Sequence, residues 1–553
     1  MPSARGTAPA RSPLHLAMLL CALVGSTLLI AMPADRALAS SNQDAMFQDF
    51  NDLSSNPAGT LQQLRLLGVD RIRLPMLWDE VAPQPSSHRR PRHFDAGDPA
   101  SYPGHKWAIW DQIIRDAGQD GIGIDLDLYG LAPLWATESG APNDHHKHHN
   151  WEPRANDFRR FVHAVGERYS GNFDPDTNST SPGSPDDLPR VSFWSIWNEP
   201  NLGFMLAPQG VPGHLTIENS GRMYRALLNA AWRSLQETGH GRDTILIGEL
   251  APKGVTRFGV FAAMKPLVFL RALYCVDSSY RHLQGAAAAR RGCPTTAAGS
   301  RRFRGANPAL FSASAFAQHL WMAWYPPNKD PEHDPDYASL PQIGGLGRAL
   351  DHLQRVYGSH KRFPIYNTEF GYITAPPNRH PFPSPTTAAM YLNWAEYISW
   401  RNPRIDSFAQ YLLRDPTPTK TNDGGWATGL LTTSGQEKPA YGAWRLPLYL
   451  PVTSAPRHRS LEVWGCARSS RFAIIDSGQP QTVEVQFKQG SAAPWTTLRT
   501  VTINDANNCY FDIHTTFPGS GTARLAYTYP TDDPLMTSNE RTVYSRSVRV
   551  TLY

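Results

Sequence analysis

In "SFWSIWNEPN", Ser192–Asn201, an apolar run stops abruptly at Asn198-Glu199-Pro200. Branched and aromatic residues suit a buried strand, whereas Asn and Pro are depleted in strand interiors. The strand therefore ends here and delivers the Glu199 carboxylate to its own tip. "PIYNTEFGY", Pro364–Tyr372, has the same grammar, an apolar strand followed by Glu369. Two carboxylates brought to one place can divide the work of breaking a glycosidic bond. One is held protonated to donate to the leaving oxygen, and the other stays ionised to attack the anomeric carbon. Alone, either motif reads as a strand-to-loop turn with a surface Glu. The pair points to catalysis.

The elements that must position them run from about Met46 to Tyr449. Short apolar runs fall at Met46–Gln48, Asp70–Leu74, Ile122–Leu128, Val191–Trp197, Ile245–Gly248, Phe311–Ala317, Pro364–Thr368 and Ile405–Tyr411. Segments with apolar residues at helical spacing lie between most of them, as in Thr60–Leu67, Trp107–Ala117 and Ala155–Tyr169. Strands alternating with helices over this length predict a (β/α)8 TIM barrel with insertions, and periodicity alone leaves a doubly wound sheet open. In a barrel, the C-terminal strand ends face the active site. Glu199 would close the fourth strand and Glu369 the seventh, so both would reach one mouth. Trp194 and Trp197 have opposite parity along the strand, which predicts one against the helices and one toward the barrel.

From Ser460 to Tyr553 the chain changes to short alternating strands. These are Leu461–Trp464, Phe472–Ile475, Thr482–Phe487, Trp495–Ile503, Cys509–Ile513, Thr522–Tyr527 and Val543–Leu552, which predict an all-β sandwich. The Pro-rich stretch Pro447–Pro456 reads as the junction. The expected organisation is a leader over 1–39, a barrel over 40–449 and a sandwich over 457–553. Trp464 and Trp495 are the sandwich's only tryptophans and are as well suited to a core as to a sugar platform, which favours an accessory domain packed on the barrel.

With these residues in hand, the chain resembles the clan A glycoside hydrolases, the TIM-barrel superfamily that includes family 5 cellulases and family 39 glycosidases. In that clan Asn-Glu-Pro closes strand four with the acid/base, and a Glu closing strand seven is the nucleophile. The resemblance implies Glu199 as acid/base, Asn198 on the sugar 2-hydroxyl and Glu369 as nucleophile. "GVDRIRLPMLWDEVAP", Gly68–Pro83, resembles the clan's strand-two segment, whose Arg lies near the nucleophile. Here that is Arg73, expected to hold Glu369 ionised through charge-assisted hydrogen bonds. Tyr129–Trp135 and His319 sit where the clan places substrate contacts, with Trp135 a candidate. One departure stands out. The clan commonly ends strand six with His-x-Tyr, but this chain has His319-Leu320-Trp321, with the next tyrosine at Tyr325. Either Tyr325 folds back to the nucleophile or Trp321 makes an apolar wall there. Trp78, Trp321 and Trp324 also follow strand ends and are candidates for stacking on sugar.

At the N-terminus, Arg5 and Arg11 precede the apolar run Leu16–Met32, and Ala37-Leu38-Ala39 offers small residues for cleavage before Ser40. This reads as an export signal, with an uncleaved anchor as the alternative. Cys21 lies within the run, after Met18-Leu19-Leu20, which lacks the small residue a lipoprotein signal wants. The other cysteines form two sequence-local pairs, Cys275/Cys293 and Cys466/Cys509, expected as disulfides in an exported chain. A net charge of +5 over 553 residues is too dilute for a nucleic-acid reader. The acidic stretch Tyr325–Leu340 lacks regular calcium-ligand spacing, and His145-His146-Lys147-His148-His149 has no second ligand cluster, so no metal is expected. The sequence has no G-x-S-x-G elbow, phosphate loop or dinucleotide fingerprint.

The expectation is a secreted or cell-envelope retaining glycoside hydrolase, monomeric, with an oligo- or polysaccharide substrate and no cofactor. It has no nucleic-acid partner and no stable membrane insertion once the leader is cleaved. Two rivals keep the fold: a secreted carbohydrate-binding protein on an inactive barrel, and an envelope protein whose sandwich docks on a surface polymer.

Overall fold

The computed structural model describes residues 43–142, 149–180, 183–322, 324–419, 424–530 and 541–553. The leader and the tract from His145 to His148 lie outside the described residues, and only His149 of that tract falls within them. Among the described residues no helix is long and apolar enough to cross a membrane.

Eight parallel strands form one sheet. They are β1 (Asp44–Gln48), β2 (Arg71–Leu77), β3 (Gly123–Tyr129), β4 (Phe193–Ile196), β5 (Thr244–Leu250), β6 (Ala315–Gln318), β7 (Ile365–Tyr366) and β8 (Ser407–Tyr411). From β1 to β7 each strand pairs with its neighbour in order, and β8 pairs with β1. A bridge between Ile365 and Ile405 joins β7 to the approach of β8 and closes the barrel. All eight strands expected from the apolar runs are present. The sixth is shorter than its run, because Ala309–Ser312 turns as a helix first.

Alternation along the strands sets what fills the barrel. Low in the interior, Phe193, Leu246, Ala315 and Ala317 form a small apolar cluster against Tyr366. Arg71 lies 4.1 Å over the Phe193 ring. One level up the filling becomes polar, with Arg73, Asp125, Asp127 and Ser195 all fully buried. Register puts Arg73 beside Asp125, and Asp127 beside Ser195. An apolar floor thus carries a charged layer at the catalytic end of the strands.

The two strand-four tryptophans depart from the parity expectation. Trp194 packs edge-on to His240 and Trp197 edge-on to Phe158 of the helix Ala155–Arg168, so both face outward. Trp197 has a φ of 67°, which breaks the alternation just after Ile196 and swings its ring to the helix side.

The C-terminal strands are β9 (Leu448–Tyr449), β10 (Ser454–Ala455), β11 (Ser460–Cys466), β12 (Gln481–Lys488), β13 (Thr496–Ile503), β14 (Tyr510–Thr516), β15 (Gly521–Thr528), β16 (Thr542–Tyr544) and β17 (Val548–Leu552). One sheet is β9-β11-β14. The other runs β10-β17-β15-β12-β13, with β16 on β15. Residues of both sheets share one core, including Leu448, Val463, Val485 and Leu525. Two expected strands differ. Ser470–Ser477 is a helix, and Phe472 leaves the sandwich to join the barrel core. The last expected strand is divided into β16 and β17. Both expected disulfides are formed, Cys275–Cys293 and Cys466–Cys509.

The sandwich packs closely on the barrel. Arg468 pairs with Glu396 and donates to the Trp444 carbonyl, and its guanidinium lies 4.0 Å over the Trp444 ring. Tyr510 donates to Glu396 at 2.9 Å, and Tyr529 to the Leu66 carbonyl at 2.9 Å. Gly68, with φ 66°, sits where a Cβ would lie 2.0 Å from the Arg468 carbonyl oxygen, so a side chain here would push the two units apart.

Candidate active site

Glu199 and Glu369 arrive at the mouth three residues past the ends of β4 and β7. Both line a pocket of about 380 Å³ together with Asn198, Tyr129, Trp321 and Tyr411. Apolar side chains make up most of its outer wall, including Leu202, Met205, Met322 and the half-exposed Phe204 and Trp426.

His319 joins the two glutamates. Its Nδ1 lies 2.9 Å from Glu199 Oε1 and 2.9 Å from Glu369 Oε2. Its Nε2 lies 2.9 Å from Oε2 of a third carboxylate, Glu249, at the end of β5. One oxygen of Glu199, one of Glu369 and a His319 ring nitrogen all lie within 4.8 Å of one another. That closeness would also suit a metal ion. Both ring nitrogens face carboxylates, however, so a cation bound here would have to displace a proton that those carboxylates favour on the ring. Burial opposes a charged ring, but Glu369, Glu199 and Glu249 together hold the His319 pKa well above its ordinary value.

Glu249 is fully buried and tightly held. Ser195 Oγ lies 2.6 Å from its Oε1, Thr368 donates to its Oε2 at 2.6 Å, and Arg73 lies 3.2 Å away. Burial pushes its pKa up, but Arg73, His319 and Ser195 outweigh it and bring it down to about 2. Ser195 also lies 3.1 Å from Asp125. Burial and the Glu249 charge raise Asp125 well above the carboxylate range, and Asp127 is raised to about 7, chiefly by burial.

The two glutamates of the pocket diverge. Burial and the neighbouring Glu369 charge raise Glu199, against the pull of His319. Glu369 is equally deep, yet His319, Arg73 and the Trp321 indole bring it below its ordinary value. Separated affinities of this kind make one carboxyl a proton donor and the other an anion at the same pH.

Of the other residues singled out from sequence, Arg73 lies among the acids, but its hydrogen bonds go elsewhere. It donates to Gln48 at 2.6 Å, Asp127 at 2.8 Å and Asn198 at 2.9 Å, and acts on Glu369 as a charge 3.9 Å away. Asn198 accepts from Arg73 through Oδ1, which turns its Nδ2 to the Tyr129 hydroxyl at 2.9 Å. Trp321 answers the missing tyrosine in a third way. It is a wall of the pocket and also a donor, its Nε1 lying 3.2 Å from Glu369 Oε2. Tyr325 is not among the pocket's lining residues; its carbonyl accepts from Tyr372 at 3.2 Å. Trp135 is buried in the core, edge-on to Trp78, and donates to the Pro83 carbonyl at 3.0 Å. It does not reach the pocket, because the chain after Tyr129 turns it back under the helix Ala155–Arg168, where Trp78 meets Phe161. Trp324 likewise packs on Tyr325 and Phe382.

Sequence reading missed Glu249, Tyr411 and Trp426. Glu249 was within reach, since "ILIGEL", Ile245–Leu250, is a third apolar strand with a carboxylate at its end. Trp426 follows no strand and gives no local signal. Four non-glycine residues at the C-terminal ends of the barrel strands have positive φ: Trp197 at 67°, Glu199 at 41°, Glu249 at 47° and Leu412 at 69°. The Glu199 amide donates to the Glu249 carbonyl at 2.8 Å, tying two of these strained positions together.

No protein-family model matches the chain, and no curated protein matches it. Solved structures do. It is similar to a family 39 glycoside hydrolase from the gut symbiont Bacteroides cellulosilyticus WH2, with 14% identity, a TM-score of 0.46 and coverage of 94% of this chain and 81% of that one. It is similar to a family 1 β-glucosidase from Thermotoga maritima at 15% identity and TM-score 0.40, covering 70% of this chain and 84% of that one. It is also similar to an endo-β-1,4-mannanase from Thermotoga petrophila at 10% identity and TM-score 0.37, covering 93% of this chain and 98% of that one.

Proposed function

We propose that the chain is an exported retaining glycoside hydrolase acting on oligo- or polysaccharide, of the β type that its resemblance to clan A implies. The observation that carries this reading is the Glu199–Glu369 pair, one oxygen of each lying within 4.8 Å of the other beside one histidine, with proton affinities driven apart. Retaining enzymes hold their carboxyl groups about 5 Å apart, whereas inverting enzymes leave room for a water at about 6.5 Å or more.

Glu369 attacks the anomeric carbon while Glu199 protonates the leaving oxygen, giving a covalent glycosyl-enzyme. Glu199 then takes a proton from water, which releases the sugar. Asn198, steered by Arg73, offers its amide N–H to a sugar hydroxyl. Trp321 and Trp426 offer the flat apolar faces on which a sugar ring stacks. The leader motif and the two disulfides support export.

Aryl β-glycosides and a panel of polysaccharides, with Glu369→Ala as control, test the reading. Turnover is expected to fall about 10⁴-fold or more in Glu369→Ala, and azide should restore it with an inverted product. Wild-type-like turnover in Glu369→Ala would sink the assignment. Glycan binding without product from any substrate would favour the carbohydrate-binding rival.

A further inference from the structure

Glu249 is absent from the pocket lining and fully buried, and yet lies 2.9 Å from the ring that joins the two reacting groups, as near as either of them. We propose that Glu249 is a positioning residue for the glycosidic reaction: it fixes the His319 ring so that one N–H stands between the two catalytic glutamates and follows the negative charge as it moves from Glu369 to Glu199. This rests on the glycosidase reading above.

The equal distances carry the inference. Nδ1 is 2.9 Å from Glu199 and 2.9 Å from Glu369, and a single N–H aligns with one acceptor at a time. At the start, Glu369 is the anion and Glu199 holds a proton. Attack forms a bond from a Glu369 oxygen to the anomeric carbon. The bond to the leaving oxygen breaks, and that oxygen takes the Glu199 proton. Glu369 is now a neutral ester and Glu199 the anion, so the pair's total charge is unchanged while its location has moved. The His319 proton stays on the ring and needs only a small tilt to change acceptor. When water attacks and Glu199 takes its proton, the ester breaks and the charge returns to Glu369.

For this the ring must neither rotate nor lose its proton. Glu249 secures both by accepting from Nε2, and is itself fixed by Ser195, Thr368 and Arg73. The other titratable groups facing this network are Asp125, Asp127 and Tyr129 on β3, Tyr224 on the helix Ser220–Glu237 and Tyr411 on β8. Burial raises Asp125 and the tyrosines well above their ordinary values.

The test compares full-length wild type, Glu249→Gln and Glu249→Asp on whichever 4-nitrophenyl β-D-glycoside wild type hydrolyses fastest. In Glu249→Gln the ring loses the charge that keeps it protonated. The expected result is a kcat about 100-fold lower, KM within about threefold, and an acid limb of the pH profile moved up by about one unit. Glu249→Asp should recover part of the limb position. Wild-type limbs in Glu249→Gln would overturn the proposal, as would an activity loss equal to the unfolded fraction. If Glu249→Gln does not fold, nitrogen NMR of wild type decides, with the His319 signal assigned by loss in His319→Gln. Both ring nitrogens protonated at pH 8 would support it, and a neutral ring at that pH would overturn it. Wild type inert toward the whole panel would overturn the glycosidase reading, and this proposal with it.

Discussion

Arg73 and Arg468 are among the largest fully buried side chains of the described residues, and their surroundings differ in one respect. Arg468, between sandwich and barrel, pairs with one carboxylate, Glu396, and its other contacts are a carbonyl, the Trp444 ring and, through Glu396, the Tyr510 hydroxyl; the more distant Asp70 has its own partner in Arg471. Arg73, in the barrel mouth, faces Asp127, Glu249 and Glu369, with Glu199 and Asp125 close behind. Charge is matched one to one at the first site and acid is in excess at the second. A matched pair holds structure. An excess of acid forces some carboxyls to keep protons that others give up, which chemistry requires.

Substitutions can break this comparison. The largest effect on stability is expected at the matched site, where Arg468→Ala strands the buried Glu396 at a cost of about 3–5 kcal/mol. Urea unfolding should show that loss, while turnover per folded molecule stays at the wild-type level. A drop in specific activity would mean that the sandwich shapes the mouth.

The excess-acid site should show the reverse pattern. Arg73→Lys keeps a charge but loses the fork that serves Gln48, Asp127 and Asn198 at once. Turnover should fall about 100-fold, the scale of one lost preorganised donor, with little change in unfolding midpoint. The sign of the pH effect follows from Glu369. Its pKa lies below the ordinary value partly through Arg73, so a weaker neighbour raises it and moves the acid limb upward. A limb moving down would contradict the assignment of Glu369 as the ionised partner.

The disulfides sharpen the contrast between the two regions more gently. Cys466–Cys509 spans 43 residues and Cys275–Cys293 spans 18. Loop-closure entropy then makes paired Cys→Ala replacement in the sandwich the costlier by about 0.8 kcal/mol. Equal losses in calorimetry would show that unfolded-chain entropy is not what these bonds mainly restrict.

The barrel was legible because strand ends and helical spacing are local signals. Eight apolar runs gave eight strands, and the two glutamates at their ends met. What failed depended on three-dimensional packing. Phe472 and Ile475 have strand-like chemistry, but the barrel core draws Phe472 away and the segment coils into a helix. Trp135 follows a strand end as a sugar platform would, yet the aromatic cluster around Trp78 buries it. The hydrogen bond expected of Arg73 to Glu369 is replaced by a longer ion pair, since nearer acceptors compete for the fork. Trp321 supplies the donor expected of a tyrosine, a substitution visible only once its indole N–H is seen on Glu369.

The left-handed backbone at Glu199 and Glu249 bears on how this protein can change. Glycine would rest in that conformation at no cost, whereas a glutamate is held in it by its surroundings. The sequence that melts highest is therefore not the one that turns over fastest. Glu199→Gly, inactive toward glycosides, is expected to be more stable than wild type by a few tenths to about 1 kcal/mol and so to unfold at a higher temperature. Drift under selection for robustness alone would take the carboxylate first and leave the barrel standing, so an inert relative with glycine at this position would be a natural end point.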